Sequence, residues 1–378
     1  MKFKSKEFIL LSSYPQSIVN FRGDLIVALQ KCGITVHVVS PIAPKNSSVN
    51  KDLIRMGIIV HQIPLNRKGI NPFLDLIYFL RLVALFIRIK PKYVMGYTIK
   101  PVIYGSMAAT VCRVPYNFSL ITGLGASFSN KVSGVNLIIQ KILKHLYRIS
   151  LSNSKTVFFQ NIDDCELFIR NGLIKPNHKS VVVNGSGVNL EHYYKYPVPE
   201  KISFLLVSRL MIEKGVLEFA TAAQKIKSIY PDVEFVLAGW HDGDSISKAE
   251  VDSWVEDGRL IFLGSLEDVR SAIKKCSVFV LPSSYREGVP RTILEAMSMG
   301  RAIITTDSPG CRETVINGKT GYLIKPQSTN ELILAMLKFI KNQDLIYKMG
   351  ENSRLLAEDK FDVHKINAVM LREMGIIK

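Results

Sequence analysis

The sequence predicts an α/β protein built as two Rossmann-like domains in tandem, each a parallel sheet wound by helices. Three observations carry this expectation. The chain has 378 residues, too many for one ordinary domain and enough for two of about 190. Short runs rich in Val and Ile alternate with helix-length segments from end to end, as strands buried on both faces and joined by right-handed crossovers do. Each half also opens with a strand, a polar turn and a helix.

In the first half the strand-like runs are 8–12, 36–40, 58–63, 93–97, 116–121, 156–160 and 181–184. In the second they are 203–208, 234–239, 260–264, 278–282, 302–306 and 322–325. Segment 193–201 (YYKYPVPEK) has two prolines and no apolar period, so the domains are expected at 1–192 and 193–378. The last helix is free to pack back on the first domain. Ligands are expected where the C-terminal ends of the two sheets face each other across a cleft.

Apolar residues at 47% and charged residues at 21% describe a globular chain. The charge is unevenly spread. Residues 1–190 carry 24 basic and 7 acidic side chains, whereas 191–378 carry 25 of each, so the whole excess of +17 lies in the first half. An anionic partner for one domain follows, either a membrane surface or a nucleic acid. A nucleic-acid binder needs a stacking platform or a recognition motif, and the aromatic residues here follow strand and helix periods instead.

Segment 72–90 (PFLDLIYFLRLVALFIRIK) reads as a crossover helix, yet it holds more Phe and Leu than one buried stripe needs. With Arg67, Lys68 and Lys92 beside it, its spare face suits an anionic leaflet. A second candidate is the helix of 135–148, with Lys141, Lys144, His145 and Arg148.

Five scattered cysteines without a Cys-x-x-Cys pair imply no disulfide framework and no zinc site, and fit a reducing compartment. The apolar run at 8–11 is too short for a signal-peptide core, and no run of about 18 uncharged apolar residues occurs. The expected location is cytoplasmic, at the inner face of the membrane.

Chemistry concentrates in two strand-end motifs. The first, Ser208-Arg209-Leu210-Met211-Ile212-Glu213-Lys214-Gly215, opens a helix, and its two cations flank a terminus that already favours anions. That arrangement suits a diphosphate. The second, Tyr285-Arg286-Glu287-Gly288-Val289-Pro290-Arg291-Thr292-Ile293-Leu294-Glu295-Ala296, follows the strand at 278–282. Glu287 lies in the turn, Gly288 lets backbone approach a ligand, Pro290 suits a first helical turn, and Glu295 shares a helix face with Arg291. A carboxylate there suits a vicinal diol, and the amides of Val289 to Thr292 suit an anion.

Together these motifs resemble the donor site of the retaining glycosyltransferases of family 4, which have the GT-B fold. Asn20-Phe21-Arg22, Thr98-Ile99-Lys100-Pro101, Ile103-Tyr104-Gly105-Ser106 and Ile121-Thr122-Gly123-Leu124-Gly125 look like the bacterial members that build O-antigen, capsule or other undecaprenyl-diphosphate-linked glycans. The resemblance implies a nucleotide-sugar donor, UDP-linked, with N-acetylhexosamines among the sugars such members transfer, and a polyprenyl-diphosphate-linked glycan acceptor. It implies that Arg209 and Lys214 hold the donor diphosphate and stabilise the leaving group. Glu295 would bind the ribose and Glu287 the sugar hydroxyls, with backbone of Gly288 to Thr292 on sugar and β-phosphate. Uridine would rest near Gly239 and Leu266, while Asn20, Arg22, Thr122, Gly123 and Gly125 would line the acceptor side. No metal or other cofactor is implied, because Arg and Lys do that electrostatic work. A GT-B sugar-nucleotide epimerase and a nucleic-acid binder are the alternatives.

One departure affects the first domain. Many members carry a histidine after the fourth strand, where this chain has Lys100 as its only titratable side chain, read either as a residue facing sugar or diphosphate or as a solvated lysine. Asp242-Gly243-Asp244 matches a metal-binding Asp-x-Asp, but random placement gives about 0.6 such pairs, so the match carries little information. The loop 12–17, expected to lead to a helix near Arg22, lacks Gly-x-Gly-x-x-Gly, which argues against a nicotinamide enzyme.

Overall fold

The computed structural model describes residues 4–41, 48–67, 71–128, 135–243 and 245–378; Lys68 and Asp244 lie outside them. The chain divides into two compact units, one of residues 1–186 with 364–378 and one of 187–363. The chain therefore passes from one unit to the other at Ser186–Gly187, ahead of the Pro-containing segment 193–201, which belongs to the second.

The first unit alternates β1 (Lys4–Leu11), α1 (Pro15–Lys31), β2 (Thr35–Ser40), α2 (Ser48–Arg55), β3 (Ile59–Gln62), α3 (Pro72–Ile89) and β4 (Pro91–Tyr97). It continues with α4 (Ile99–Val111), β5 (Tyr116–Ile121), α5 (Val135–Leu151), β6 (Thr156–Phe159), α6 (Ile162–Arg170) and β7 (Ser180–Val182). The strands form one parallel sheet in the order β3-β2-β1-β4-β5-β6-β7. Alternation along β1 supplies two cores: Phe8 and Leu10 enter one layer, Ile9 and Leu11 the other.

The second unit runs β8 (Ser203–Val207), α7 (Val216–Lys227), β9 (Glu234–Ala238), α8 (Lys248–Glu256), β10 (Ile261–Phe262), α9 (Arg270–Lys274) and β11 (Val278–Leu281). Then come α10 (Arg291–Ser298), β12 (Ala302–Thr306), β13 (Gly321–Ile324), α11 (Thr329–Lys341) and α12 (Asp344–Lys360), before α13 (Val363–Glu373) returns the chain to the first unit. Its parallel sheet has the order β10-β9-β8-β11-β12-β13. From His364 onward the chain is part of the first unit, where Ile366, Met370, Leu371 and Met374 complete the core that holds Phe8 and Phe118.

Helix α1 begins at Pro15, not near Arg22. Proline at the first helical position was the signal: its ring presets φ and its missing N–H costs nothing there. Helix α3 is capped by Asn71, whose side chain accepts from the amides of Phe73 and Leu74, and it stops at Lys90, left-handed and followed by Pro91. It buries Tyr78, Leu82, Leu85 and Phe86 against the sheet and exposes Phe73, Leu76, Leu80 and Ile87 on its outer side. The apolar surplus in its sequence is thus a solvent-facing stripe. No helix of the described residues is long and apolar enough to cross a membrane.

A polar chain runs across β1, β2 and β3. Glu7 accepts from or shares a proton with His37 Nε2 at 2.7 Å, and His37 Nδ1 lies 2.9 Å from His61 Nε2. Burial, then the neighbouring His37 and Arg88, lowers the His61 pKa from 6.5 to about 4. Between these values the unfolded chain binds the proton and the folded chain does not, so this contribution is intact above pH 6.5 and is lost as pH falls towards 4. His61→Gln should therefore flatten the acid dependence of the urea midpoint between pH 6.5 and 4.5; an identical pH profile would show that His61 is not its source.

Candidate functional site

The sheet order of the second unit builds the site. Strand β8 lies between β9 and β11, and the connections turn opposite ways from it, so the loops after all three strands converge at one switch point. Arg209 leaves β8 and meets Asp242, which follows β9, with its guanidinium Nη1 paired to that carboxylate. Lys214 ends a short 3₁₀ turn and pairs with Glu287, which follows β11. Residues 33 and 73 positions apart thus meet because their strands are neighbours.

Backbone contacts lock the two motif loops together. The Glu213 carbonyl accepts from the Ser284 amide at 2.8 Å and the Tyr285 amide at 3.1 Å. Gly215 caps α7 with φ of 76°, and a Cβ on it would lie 2.4 Å from the Pro282 carbonyl oxygen. Only glycine meets both demands. The Tyr285 ring lies within 5.7 Å of the Arg209 guanidinium and 5.1 Å of the Lys214 ammonium. Ser283 Oγ donates to Glu287 at 3.1 Å, and the loop carrying Gly310 abuts the Gly288 carbonyl so closely that a Cβ on Gly310 would lie 2.2 Å from it.

The charges are desolvated yet compensated. Burial opposes the Arg209 cation, but the Asp242 carboxylate and Tyr285 outweigh it, and the pKa is raised. Lys214 and Glu287 are both nearly buried. Glu295 is buried on α10, accepts from Arg291 Nε at 2.9 Å and is bonded by the Tyr193 hydroxyl; burial nonetheless raises its pKa. Pro290 is the N-cap of α10 and not part of its first turn, so helical φ/ψ begin at Arg291. The first amides, Arg291 and Thr292 among them, have no acceptor within the helix.

Gly239, at the end of β9, has φ of 154°, and a Cβ there would overlap the Ser208 carbonyl. Its amide donates to Gly264, and the next residue, Trp240, is half exposed. Leu266 is partly buried, its side chain packed against the core that holds Leu205 and Ala238. Five of the expected residues therefore gather at one edge of this sheet: Gly239, Arg209, Lys214, Glu287 and Gly288.

The first-unit residues are disposed differently. Lys100 is neither solvated nor an open cation: its ammonium pairs with Asp75 of α3 at 2.6 Å, and Tyr104 donates to the same carboxylate at 3.1 Å. A buried acid on α3 needed a partner, and Lys100 supplies it. Arg22 is buried, with its guanidinium over the Tyr97 ring at 5.2 Å, while Asn20 is exposed. Thr122, Gly123 and Gly125 follow β5, half buried, with φ of 100° and 54° at the two glycines. Thr98, between β4 and α4, has φ of 67° and ψ of 163°, a conformation costly for a β-branched residue; its hydroxyl donates to Ser13 at 2.8 Å.

Sequence reasoning missed Asp75, Tyr193, Ser283 and the pairing of Asp242 with Arg209. Asp75, Tyr193 and Asp242 have no local signal, since their partners are remote in sequence, whereas Ser283 lies only four residues before Glu287.

This fold and this pair of strand-end motifs define a GT-B glycosyltransferase. The description "Glycosyl transferases group 1" matches residues 195–356 and "Glycosyl transferase 4-like" matches residues 9–161, and the chain belongs to this family of glycosyltransferases. It is 28% identical to the N,N'-diacetylbacillosaminyl-diphospho-undecaprenol alpha-1,3-N-acetylgalactosaminyltransferase of Campylobacter jejuni, over 91% of this chain and 92% of the relative. It is 26% identical to the UDP-Gal:alpha-D-GlcNAc-diphosphoundecaprenol alpha-1,3-galactosyltransferase of Escherichia coli, over 85% and 84%. In fold it is similar to Anabaena HepE in complex with UDP and glucose, with a TM-score of 0.79 at 18% identity over 98% of this chain and 100% of that one.

The approach of Gly215 to Pro282 holds the loop of Lys214 against the loop after β11. Gly215→Ala should lower unfolding stability by on the order of 1–3 kcal/mol, read from denaturant midpoints. An unchanged midpoint would mean that the two loops are not locked there.

Proposed function

We propose that this glycosyltransferase moves a sugar from a UDP-linked donor to a polyprenyl-diphosphate-linked saccharide, with retention at the anomeric carbon and without a metal ion. The observation that carries the reading is the pair of cations, partly buried Arg209 and nearly buried Lys214, held at one strand edge beside Glu287 and the start of α10. Similarity to relatives named for undecaprenyl-diphosphate-linked acceptors supports the acceptor class.

In the reaction the bond from the anomeric carbon to the β-phosphate oxygen breaks, and that oxygen leaves with the electron pair. The acceptor hydroxyl oxygen bonds to the same carbon on the same face, and its proton passes to the departing diphosphate. Arg209 and Lys214 stabilise the charge as it develops. Glu287 positions sugar hydroxyls. Buried Glu295 accepts from the ribose while Arg291 and Tyr193 orient it. Asp242 spends its carboxylate on Arg209, so the pair of aspartates that resembles a metal motif has another use for its first member.

The first unit is the membrane-facing one in this reading. Residues 1–186 with 364–378 carry 27 basic and 8 acidic side chains, net +19, whereas 187–363 carry 22 and 24, net −2. Each Lys or Arg at an anionic surface contributes about 1 kcal/mol. The outer stripe of α3 supplies apolar contact, and so does the exposed side of α5, with Ile138, Ile142 and Ile149 beside Lys141 and His145. On α5, Lys144 donates to Asn171 at 2.9 Å and Arg148 to the Gly172 carbonyl at 2.8 Å, so the four basic residues are not equally available.

Two experiments test these statements. Arg209→Ala and Lys214→Ala should each cut turnover on the order of 10²-fold with a synthetic polyprenyl-diphosphate acceptor, and EDTA should leave the wild-type rate unchanged. Near-normal rates in both variants, or conversion of the nucleotide sugar without an acceptor, would overturn the assignment. Separately, Leu76→Glu with Leu80→Glu should weaken binding of the full chain to vesicles containing phosphatidylglycerol, while turnover of a short water-soluble acceptor is retained. Equal sedimentation of variant and wild type would remove α3 from the membrane contact.

A further inference from the structure

The two cations of the site differ in how their counter-charges are held. Glu287 is framed: Ser283 donates to it, Ser283 is tied to the Glu213 carbonyl, and the following glycine is pressed by Gly310. Asp242 stands on the loop after β9, between half-exposed Trp240 and Gly243, where a Cβ would meet nothing within 4 Å. One carboxylate is buttressed from within its own loop; the other borders the open side of Gly243, on main chain whose Trp240 carbonyl accepts from the Leu210 amide at 2.9 Å.

Arg209 therefore has its guanidinium covered, by the Asp242 carboxylate and by the Tyr285 ring. An incoming diphosphate and this carboxylate compete for the same partly buried cation, and two like charges in one desolvated place repel. We propose that Asp242 is a displaceable counter-ion, which the diphosphate of the donor must replace on Arg209. The proposal rests on reading this edge as the donor site. Asp242 then sets the affinity for the nucleoside diphosphate, and its return to Arg209 helps to expel the nucleoside diphosphate product. A nucleoside without phosphates needs no exchange and does not sense Asp242. The affinity for a diphosphate is thus held down by a carboxylate that never touches it.

Calorimetric titration of the full chain with UDP and with uridine tests this. Asp242→Asn and Asp242→Ala should each bind UDP roughly tenfold more tightly than wild type, the effect of removing one competing charge at a partly solvated site. Uridine affinity should be unchanged, and in an Arg209→Ala background Asp242→Asn should have no effect. Thermal melts identify which variants are folded, and two different replacements guard against loss of one. Unchanged or weaker UDP binding in the folded Asp242 variants, with Arg209→Ala still weakening it, would overturn the exchange and make Asp242 an orienting partner of Arg209. Tightening that persists without Arg209 would overturn it as well. A wild-type protein that does not bind UDP, or an Arg209→Ala variant that binds it equally, would instead bring down the donor-site reading and this inference with it.

Discussion

The close approach of two backbones after β8 and β11 is the constraint on which the site depends. A parallel sheet sets neighbouring strands about 4.8 Å apart, so loops leaving adjacent strands collide or interlock. Here they interlock through one carbonyl, that of Glu213, which receives two amides from the facing loop. The absence of a side chain at Gly215 permits the contact, and the contact delivers Lys214 to Glu287. The clamp is thus a property of sheet order expressed through a few atoms of main chain.

Electrostatic economy follows. Cations gathered in a partly buried place cost free energy unless compensated, and pairing with Asp242 and Glu287 leaves the two near neutrality. The second unit as a whole is also close to neutral, at −2, whereas the first carries +19. The excess of Lys and Arg therefore lies outside the unit that holds the two motif cations.

Strand positions were legible because burial on both faces of a parallel sheet demands uninterrupted Val, Ile and Leu, and the thirteen expected runs all contain a strand. The run at 260–264 shortened to Ile261–Phe262, since β10 is an edge strand paired on one side. Motif residues were legible where position alone fixes their place, as with Arg209 and Lys214 at the end of β8. Partners were not. Lys100 meets Asp75 only after α3 and α4 have docked on the sheet, and Asp242 reaches Arg209 because β9 happens to flank β8. Local pattern holds no record of such pairings, and they decide whether a charge is offered to a ligand or already used. The start of α1 is different: the polar run 12–17 reads as loop, yet the helix already opens within it, at Pro15.

The way the chain divides has a consequence for its synthesis. The second unit is a single uninterrupted stretch, 187–363, whereas the first needs Ile366, Met370, Leu371 and Met374 to close one of its cores. Those residues are translated after the whole second unit. The usual vectorial order, with the earlier domain finished first, is therefore inverted here: the unit that begins first on the ribosome is completed last. Until then the apolar layer around Phe8, Leu25 and Phe118 lacks one wall.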